Sequence, residues 1–179
     1  MKLIDHEWDF GSGVRVLVLK GRRKDDADVK RVVTRVSYSP QQFLNVVYEL
    51  SQIARDNERI YCTAGERSLE KASRRFREMQ LAWEYDKEPM KFYHNLEARW
   101  ASALMQPISQ KSKVWMFDID SPAERALVDQ ELIRVGHSPL YIYKTKNGWH
   151  YLMAPFNKSE LTDEARSLLS DNALALLGY

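Results

Sequence analysis

The chain has few of the residues that cross-link a fold or interrupt it. Its 179 residues include a single cysteine, Cys62, which excludes an internal disulfide framework and a cysteine-based zinc site. Only seven glycines and six prolines are present, and no repeat or low-complexity tract is visible. No apolar run approaches membrane-spanning length, and no apolar segment near the N-terminus is typical of a signal peptide. We therefore expect a cytoplasmic protein that does not associate with membranes.

A strong charge of one sign is also lacking. Lysine and arginine number 27 against 25 aspartates and glutamates, which leaves a net charge of +2. A nucleic-acid-binding surface would therefore have to come from local clustering of cations. Hydrophobic residues make up 44% of the chain, so it can bury a core as one compact domain or as two closely packed lobes.

The first two thirds of the chain predict an N-terminal α/β lobe over residues 1–105. Strands are predicted at 14–20, 32–37 and 60–63, with a charged link at 21–28 between the first two. Helices are predicted at 41–57, 68–81 and 90–104. The polar segment 106–113, which contains Pro107, is the best candidate for a linker.

The last third alternates strands and helices in the order βαββαβ. Residues 114–119 form an apolar run typical of a buried strand, and Ser121, Pro122 and Glu124 predict the capped start of a helix that stops near Gly136. Further strands are predicted at 140–145, 149–155 and 173–179, a primed hairpin turn at 147–148 and a helix at 159–169. This order predicts a ferredoxin-like or RRM-like unit over residues 112–179, in a chain of mixed α/β (α+β) class.

Two carboxylates in this unit fall on one face of a strand. Asp118 and Asp120 lie at positions i and i+2, and the predicted topology puts the strand that carries His150 beside theirs. Asp171 precedes the last predicted strand, beside the first. Carboxylates held in this way predict a Mg²⁺ or Mn²⁺ site that binds nucleotide phosphates.

Each of these residues also has a structural interpretation. Asp120 could assist the N-terminus of the following helix, where carboxylates are favoured. His150 could be a half-exposed strand residue, and Asp171 a turn residue. Asp118 is the hardest to explain in this way, because aspartate is disfavoured inside a strand.

The motifs resemble those of the archaeo-eukaryotic primase superfamily. Asp118-Ile119-Asp120 is similar to its first motif, Gly148-Trp149-His150 to its second, and Asp171 is the candidate for the third. The resemblance covers the region from about Lys113 onward. It implies that the three aspartates bind two divalent metals and that His150 contacts the phosphates of an incoming nucleoside triphosphate. It further implies nucleotidyl transfer in DNA replication on a single-stranded nucleic-acid template, with a replication protein as a partner.

Basic residues near the motifs are candidates for phosphate or template contacts. Lys144 and Lys146 flank the predicted hairpin turn. The segment 65–68, at a strand-to-helix junction, could offer backbone N–H groups to a phosphate, with Arg67, Lys71 and Arg74 as nearby cations. The structural alternative is that the arginines of this helix form a solvated face.

Two other functions remain open at this point. A strand that ends in Asp-x-Asp is also typical of phosphatases of the haloacid-dehalogenase type. Only 59 residues follow Asp120, however, which is too few for the remaining strands of that fold. The chain could also be a non-catalytic nucleotide-binding or nucleic-acid-binding module. Metal binding separates the enzymes from the module, and a phospho-aspartate would separate the phosphatase from the transferase.

Overall fold

The computed structural model describes residues 1–4, 13–21, 31–85 and 89–179. The strands in this part of the chain are β1 (Arg15–Gly21), β2 (Val32–Ser37), β3 (Glu58–Thr63), β4 (Trp115–Ile119), β5 (Tyr141–Lys144), β6 (Trp149–Met153), β7 (Leu169–Ser170) and β8 (Leu174–Gly178). The helices are α1 (Pro40–Ile53), α2 (Leu69–Tyr85), α3 (Pro89–Tyr93), α4 (Leu96–Met105), α5 (Pro122–Val135) and α6 (Asp163–Ser167). No helix in these ranges is long and apolar enough to cross a membrane.

The first sheet has the order β2-β1-β3-β8, and its strands pair antiparallel. Successive residues of β1 face opposite sides of this sheet. Val16 and Val18 pack with α2 and α4, whereas Leu17 and Leu19 pack with α1 and with the second sheet. Both faces of the first sheet are therefore covered, which explains why all four residues from Val16 to Leu19 are apolar.

The second sheet has the order β5-β6-β4-β7 and is also antiparallel throughout its described ladders. This is the strand order expected for a βαββαβ unit, so the ferredoxin-like prediction is confirmed for the sheet. Its outer face packs on α5 and α6. The start of α5 is as predicted: Ser121 and Glu124 form a reciprocal capping box, and Gly136 ends the helix in a left-handed conformation at φ 72°.

The prediction that strand 173–179 closes the second sheet is wrong. β8 pairs with β3 in the first sheet, with Thr63 opposite Leu174, and the fourth position of the second sheet is taken by the two-residue β7. β8 is buried along most of its length, and an apolar strand of this kind needs cover on both faces. In the first sheet, Ala175 and Leu177 join the core between the two sheets, and Leu174 packs on the other face against the cluster of α2 and α4. The two predicted lobes, 1–105 and 112–179, therefore share a strand.

They also share a core. Leu17 and Ile60 of the first sheet belong to one buried cluster with Met116, Tyr143 and Leu152 of the second. The inner faces of the two sheets thus meet, and the residues of β4 and β6 that point inward lie in or beside this contact.

Four predicted helices have different bounds. The helix predicted at 90–104 is two helices, α3 and α4, and Asn95 occupies the N-cap position of the second. The helix predicted at 159–169 is a 3₁₀ turn followed by the short α6, because Asn157 and Thr162 each cap a separate start. α1 ends at Ile53 instead of residue 57. α2 extends four residues beyond its predicted end.

Candidate functional site

A cleft of about 230 Å³ lies where the end of β4 meets the edge of the first sheet, and we call it the acidic cleft. It is lined by Arg59, Tyr61, Met116, Asp118, Asp120, Thr145, Lys146, Asn147, His150, Leu174 and Leu176. A water molecule occupies about 30 Å³ of liquid, so the cleft has room for about eight. This is space for a phosphate group and a hydrated ion, and a nucleoside would have to lie at the mouth.

Asp118 and His150 lie directly opposite each other on β4 and β6. The distance from His150 Nε2 to Asp118 Oδ1 is 3.1 Å, and the Asp118 side chain is 63% exposed whereas that of His150 is 8% exposed. The hydrogen bond from His150 lowers the pKa of Asp118 below its usual value, and the Arg59 guanidinium adds to the effect, against the opposing effect of burial. Asp118 is therefore held as an ionised carboxylate that faces solvent, and its predicted contact with His150 is confirmed.

The other ring nitrogen of His150 also has a partner. The hydroxyl of Tyr143, on β5, lies 2.7 Å from His150 Nδ1. That hydroxyl accepts a hydrogen bond of 3.1 Å from the backbone N–H of Leu176. Burial raises the pKa of Tyr143 well above its usual value, so the hydroxyl keeps its proton and can donate it to Nδ1. The donor pattern assigns the His150 proton to Nε2, which then donates to Asp118.

This arrangement favours a positioning role for His150. Both of its ring nitrogens are engaged within the protein, so it fits a residue that orients Asp118 better than one that contacts a phosphate directly. No described residue donates a hydrogen bond to Asp118 Oδ2, so this oxygen remains available to a ligand.

Asp120 follows β4 and is exposed. Its backbone N–H donates to Glu124 Oε2 over 2.7 Å, and the Ser121 N–H donates to the same oxygen over 3.1 Å. Ser121 Oγ accepts from the Glu124 N–H, so the start of α5 is capped by Ser121 and Glu124. The side chain of Asp120 is not used as a cap, but its carboxylate lies one residue before the N-cap, where a negative charge still favours the helix.

The loop 145–148 closes one wall of the cleft. A Cβ atom at Gly148 would lie 1.8 Å from the carbonyl oxygen of Ile119 and 3.0 Å from Cα of Asp120. Gly148 does not have a positive φ, so the predicted primed turn is wrong, and the glycine is required by close backbone contact instead. The Thr145 N–H donates to the Gly148 carbonyl over 2.8 Å, which completes a wider loop. This contact places Lys146 and Asn147 beside the carboxylates.

Two carboxylates of the acidic cleft are candidate ligands for a divalent cation. Among residues 1–4, 13–21, 31–85 and 89–179, no group of three His, Cys, Asp or Glu side chains is placed to hold a metal ion. Mg²⁺, however, commonly binds through one or two carboxylates and completes its shell with water and substrate phosphates. Asp118 and Asp120, which both line the cleft, are the carboxylates that could hold it in this way. The arrangement of three carboxylates around two metals, which the family resemblance implies, is not formed.

Asp171 lies away from the acidic cleft. β7 runs antiparallel to β4 with Ser170 opposite Met116, so Asp171 falls at the start of β4, whereas Asp120 follows its end. Its carboxylate accepts from Lys158 Nζ over 2.9 Å, and this hydrogen bond lowers the pKa of Asp171. The prediction of Asp171 as a third metal ligand is therefore wrong. The antiparallel turn from α6 into β7 brings it to the opposite end of the strand.

The predicted basic residues do not form one surface. Lys146 lines the acidic cleft, and Lys144 is exposed on β5. Arg74 is exposed and forms an ion pair with Glu70. Arg67 is only 2% exposed. Lys71 lines a second cleft, described below.

Three of the four backbone N–H groups at 65–68, which were predicted to bind a phosphate, are already used. The Glu66 N–H donates to Ser112 Oγ, the Arg67 N–H to the Val14 carbonyl, and the Ser68 N–H to the Ser109 carbonyl. These donors are used to attach the start of α2 to neighbouring segments. The prediction is therefore wrong for residues 66–68. Their partners lie far away in the sequence, so the local pattern could not reveal that these N–H groups are occupied.

Two residues of the site were not found from the sequence. Arg59 and Tyr143 both sit in ordinary strand patterns, and no local signal separates them from their neighbours. Tyr143 lies two residues before the hairpin loop and directly opposite His150. Once the hairpin is predicted, this pairing identifies Tyr143 as the neighbour of His150. Arg59 reaches the cleft only because β3 pairs with β8.

No protein-family model matches the sequence, and no curated protein or solved structure matches it. The function must therefore be inferred from the residues of the chain itself.

Proposed function

We propose that the acidic cleft binds the phosphates of a nucleoside triphosphate together with one divalent cation, and that the protein is a cytoplasmic nucleotidyltransferase of the primase–polymerase kind. The observation that carries the proposal is the Asp118–His150 pair, with Asp120 on the same strand end and Arg59 and Lys146 on the cleft walls. Carboxylates for a cation and cations for phosphates thus lie around one cavity.

The roles follow from the contacts. Asp118 and Asp120 would hold Mg²⁺ or Mn²⁺, which when bound supplies charge neutralisation at the phosphates. His150 fixes the orientation of Asp118 through Oδ1 and leaves Oδ2 for the ligand. Arg59 and Lys146 are the cations of the cleft that can meet phosphate oxygens.

The test is calorimetry with MnCl₂ and a nucleoside triphosphate. Wild-type protein should show a Mn²⁺-dependent component of triphosphate binding, and Asp118→Asn should abolish that component while keeping a hydrogen-bonding partner for His150. Asp171→Asn is the matched control, because Asp171 lies beside the opposite end of β4, and it should keep the Mn²⁺-dependent component of wild type. Unchanged binding by Asp118→Asn would overturn the proposal.

A second candidate function is nucleotide binding without transfer. The position of Asp171 favours this second function. Because Asp171 lies outside the acidic cleft, the cleft offers two carboxylates, whereas the family resemblance implies three. Extension of a labelled primer on a single-stranded template separates the two functions. Metal-dependent binding with extension supports the transferase, and metal-dependent binding without extension supports the non-catalytic module.

The haloacid-dehalogenase-like alternative is the least supported. Three of the strands that follow Asp120 complete an antiparallel four-stranded sheet and β8 joins the first sheet, so the Asp-x-Asp motif opens a ferredoxin-like unit. A phospho-aspartate on Asp118, detected by mass spectrometry after incubation with a phosphate ester, would favour it instead.

A further inference from the structure

A second cleft lies at the other end of β4, and we call it the basic cleft. Its volume is about 430 Å³, and it is lined by Lys71, Pro107, Ile108, Gln110, Lys113, Trp115 and Asp171. Trp115 is the first residue of β4 and Asp118 the fourth. Three residues of strand span about 10 Å, and Trp115 belongs to the core on the outer face, so the two clefts are separate.

The basic cleft carries an excess of positive charge. Lys71 and Lys113 are exposed lining residues, and Lys158 pairs with Asp171 over 2.9 Å. Lys158 Nζ also lies 4.6 Å from the centroid of the Trp115 ring. Three lysines thus stand against one aspartate, and that aspartate is already neutralised by Lys158. Lys71 uses one of its three donors, to the Gln110 carbonyl over 3.0 Å, and keeps the others.

A buried guanidinium behind the wall adds to this charge. Arg67 Nη2 donates to Asn172 Oδ1 over 3.0 Å, and Gln110 Nε2 donates to the same oxygen over 3.1 Å. Arg67 Nε and Nη1 have no hydrogen-bond partner among the residues that the structure describes, although the residue is 2% exposed. No ion pair joins Arg67 to a carboxylate of the described ranges. A buried cation without a counter-charge is costly, and an anion nearby would offset part of that cost.

We propose that the basic cleft is a second anion site, which binds a phosphate-bearing ligand independently of the metal-dependent acidic cleft. Lys71 and Lys113 would contact the phosphate oxygens, and Arg67 would act through its field from behind Gln110 and Asn172. A phosphodiester of a nucleic-acid strand and a free polyphosphate present the same chemistry to this cleft. The proposal does not depend on the function proposed above, because it invokes no metal and no carboxylate.

The first experiment uses inorganic pyrophosphate without divalent metal, followed by backbone amide NMR. Pyrophosphate should shift the amides of residues 67–72 and 110–115 and leave those of 118–120 and 148–150 unchanged. The double variant Lys71→Gln/Lys113→Gln should weaken this binding roughly tenfold, as expected for two exposed charge contacts. Both lysines are exposed, so the fold is not at risk. Arg77→Gln, which removes an exposed cation from the same helix outside the cleft, should bind as wild type.

The second experiment identifies the source of the phosphate. A fluorescent oligothymidylate is titrated at two salt concentrations, and its affinity should fall with salt by a slope that the double variant reduces by about 1.4, for two lost contacts. Binding of the oligonucleotide assigns the cleft to a strand, and binding of pyrophosphate alone assigns it to free phosphates. The proposal is overturned if neither probe shifts 110–115, or if the double variant binds both as wild type does. Asp118→Asn should bind both probes normally, so failure here is distinct from failure of the proposed function.

Discussion

Tyr143 and His150 face each other across β5 and β6, and the Tyr143 hydroxyl lies 2.7 Å from His150 Nδ1. The same hydroxyl accepts from the backbone N–H of Leu176, so it links a backbone donor of the first sheet to a histidine of the second. The orientation of Asp118 therefore depends on how the two sheets are packed together.

Replacement of Tyr143 by phenylalanine tests this dependence. In wild-type protein, ¹⁵N chemical shifts of the His150 ring should show the Nε2–H form. Tyr143→Phe removes the hydroxyl that donates to Nδ1, so the Nδ1 shift should move toward the value of a nitrogen without a donor, while Asp118 still accepts from Nε2. The variant should also lose about 1–3 kcal/mol of stability, since the Leu176 N–H loses its hydroxyl acceptor. Tyr61→Phe, which removes a hydroxyl from the opposite wall of the cleft, should leave the His150 signals in place. A wild-type ring protonated on Nδ1 alone would contradict the assignment.

Arg59 should contribute to triphosphate binding. Arg59→Gln removes the guanidinium that lowers the pKa of Asp118 and that lines the acidic cleft. Affinity for the metal–triphosphate complex should fall about tenfold, with a smaller salt dependence, as measured by calorimetry. Arg55→Gln is the control, because it makes the same change at an exposed position before β3. Equal losses in both variants would mean that the effect is one of overall charge.

Gly148 should tolerate no side chain. Gly148→Ala places a methyl group against the backbone of Ile119, and displacement of the loop should cost about 1–3 kcal/mol and weaken metal–nucleotide binding. Gly136→Ala is the matched control: its Cβ meets open space, and its left-handed backbone should cost about 1–2 kcal/mol without any effect on the site. Urea unfolding and calorimetry on both variants distinguish the two causes. Normal nucleotide binding by Gly148→Ala would show that the loop contact does not shape the cleft.

Acid should weaken the contact between α5 and α6. Glu131 accepts from Arg134 and from the Thr162 N–H at the start of α6, and the hydrogen bond from Arg134 is the main cause that lowers the pKa of Glu131 to about 2. A carboxyl whose pKa is lower in the folded than in the unfolded state stabilises the fold above its unfolded pKa, about 4.3, and loses that contribution as the pH falls toward 2. Urea midpoints at pH 6 and pH 3 should therefore differ less in Glu131→Gln than in wild type. Glu164→Gln, at an exposed position of α6, should keep the wild-type difference.

The sequence predicted those parts of the fold that depend on neighbours along the chain. The capping box of Ser121 and Glu124, the stop at Gly136 and the hairpin of β5 and β6 are local patterns, and they place Asp118 opposite His150. The break at Asn95 is also local and was missed, although asparagine is a common N-cap.

The remaining differences are long-range. Nothing within residues 173–179 indicates that they pair with β3, and an apolar strand fits either sheet equally well. The hydrogen bonds of the backbone N–H groups at 66–68 are likewise made to segments far along the chain. The position of Asp171 also depends on a distant segment, because β7 pairs with β4. Sequence patterns give the face and period of an element, whereas the choice of its partner depends on packing of the whole molecule.

The pairing of β8 with β3 has a consequence for the order in which the molecule can form. During synthesis β3 leaves the ribosome before any strand of the second sheet, and β8 leaves after all of them. The edge of β3 must therefore stay unpaired while the second sheet is made, and such an open edge is a site for misassociation. Because β8 also carries the Leu176 N–H that holds Tyr143, the acidic cleft cannot be completed before β8 has paired with β3.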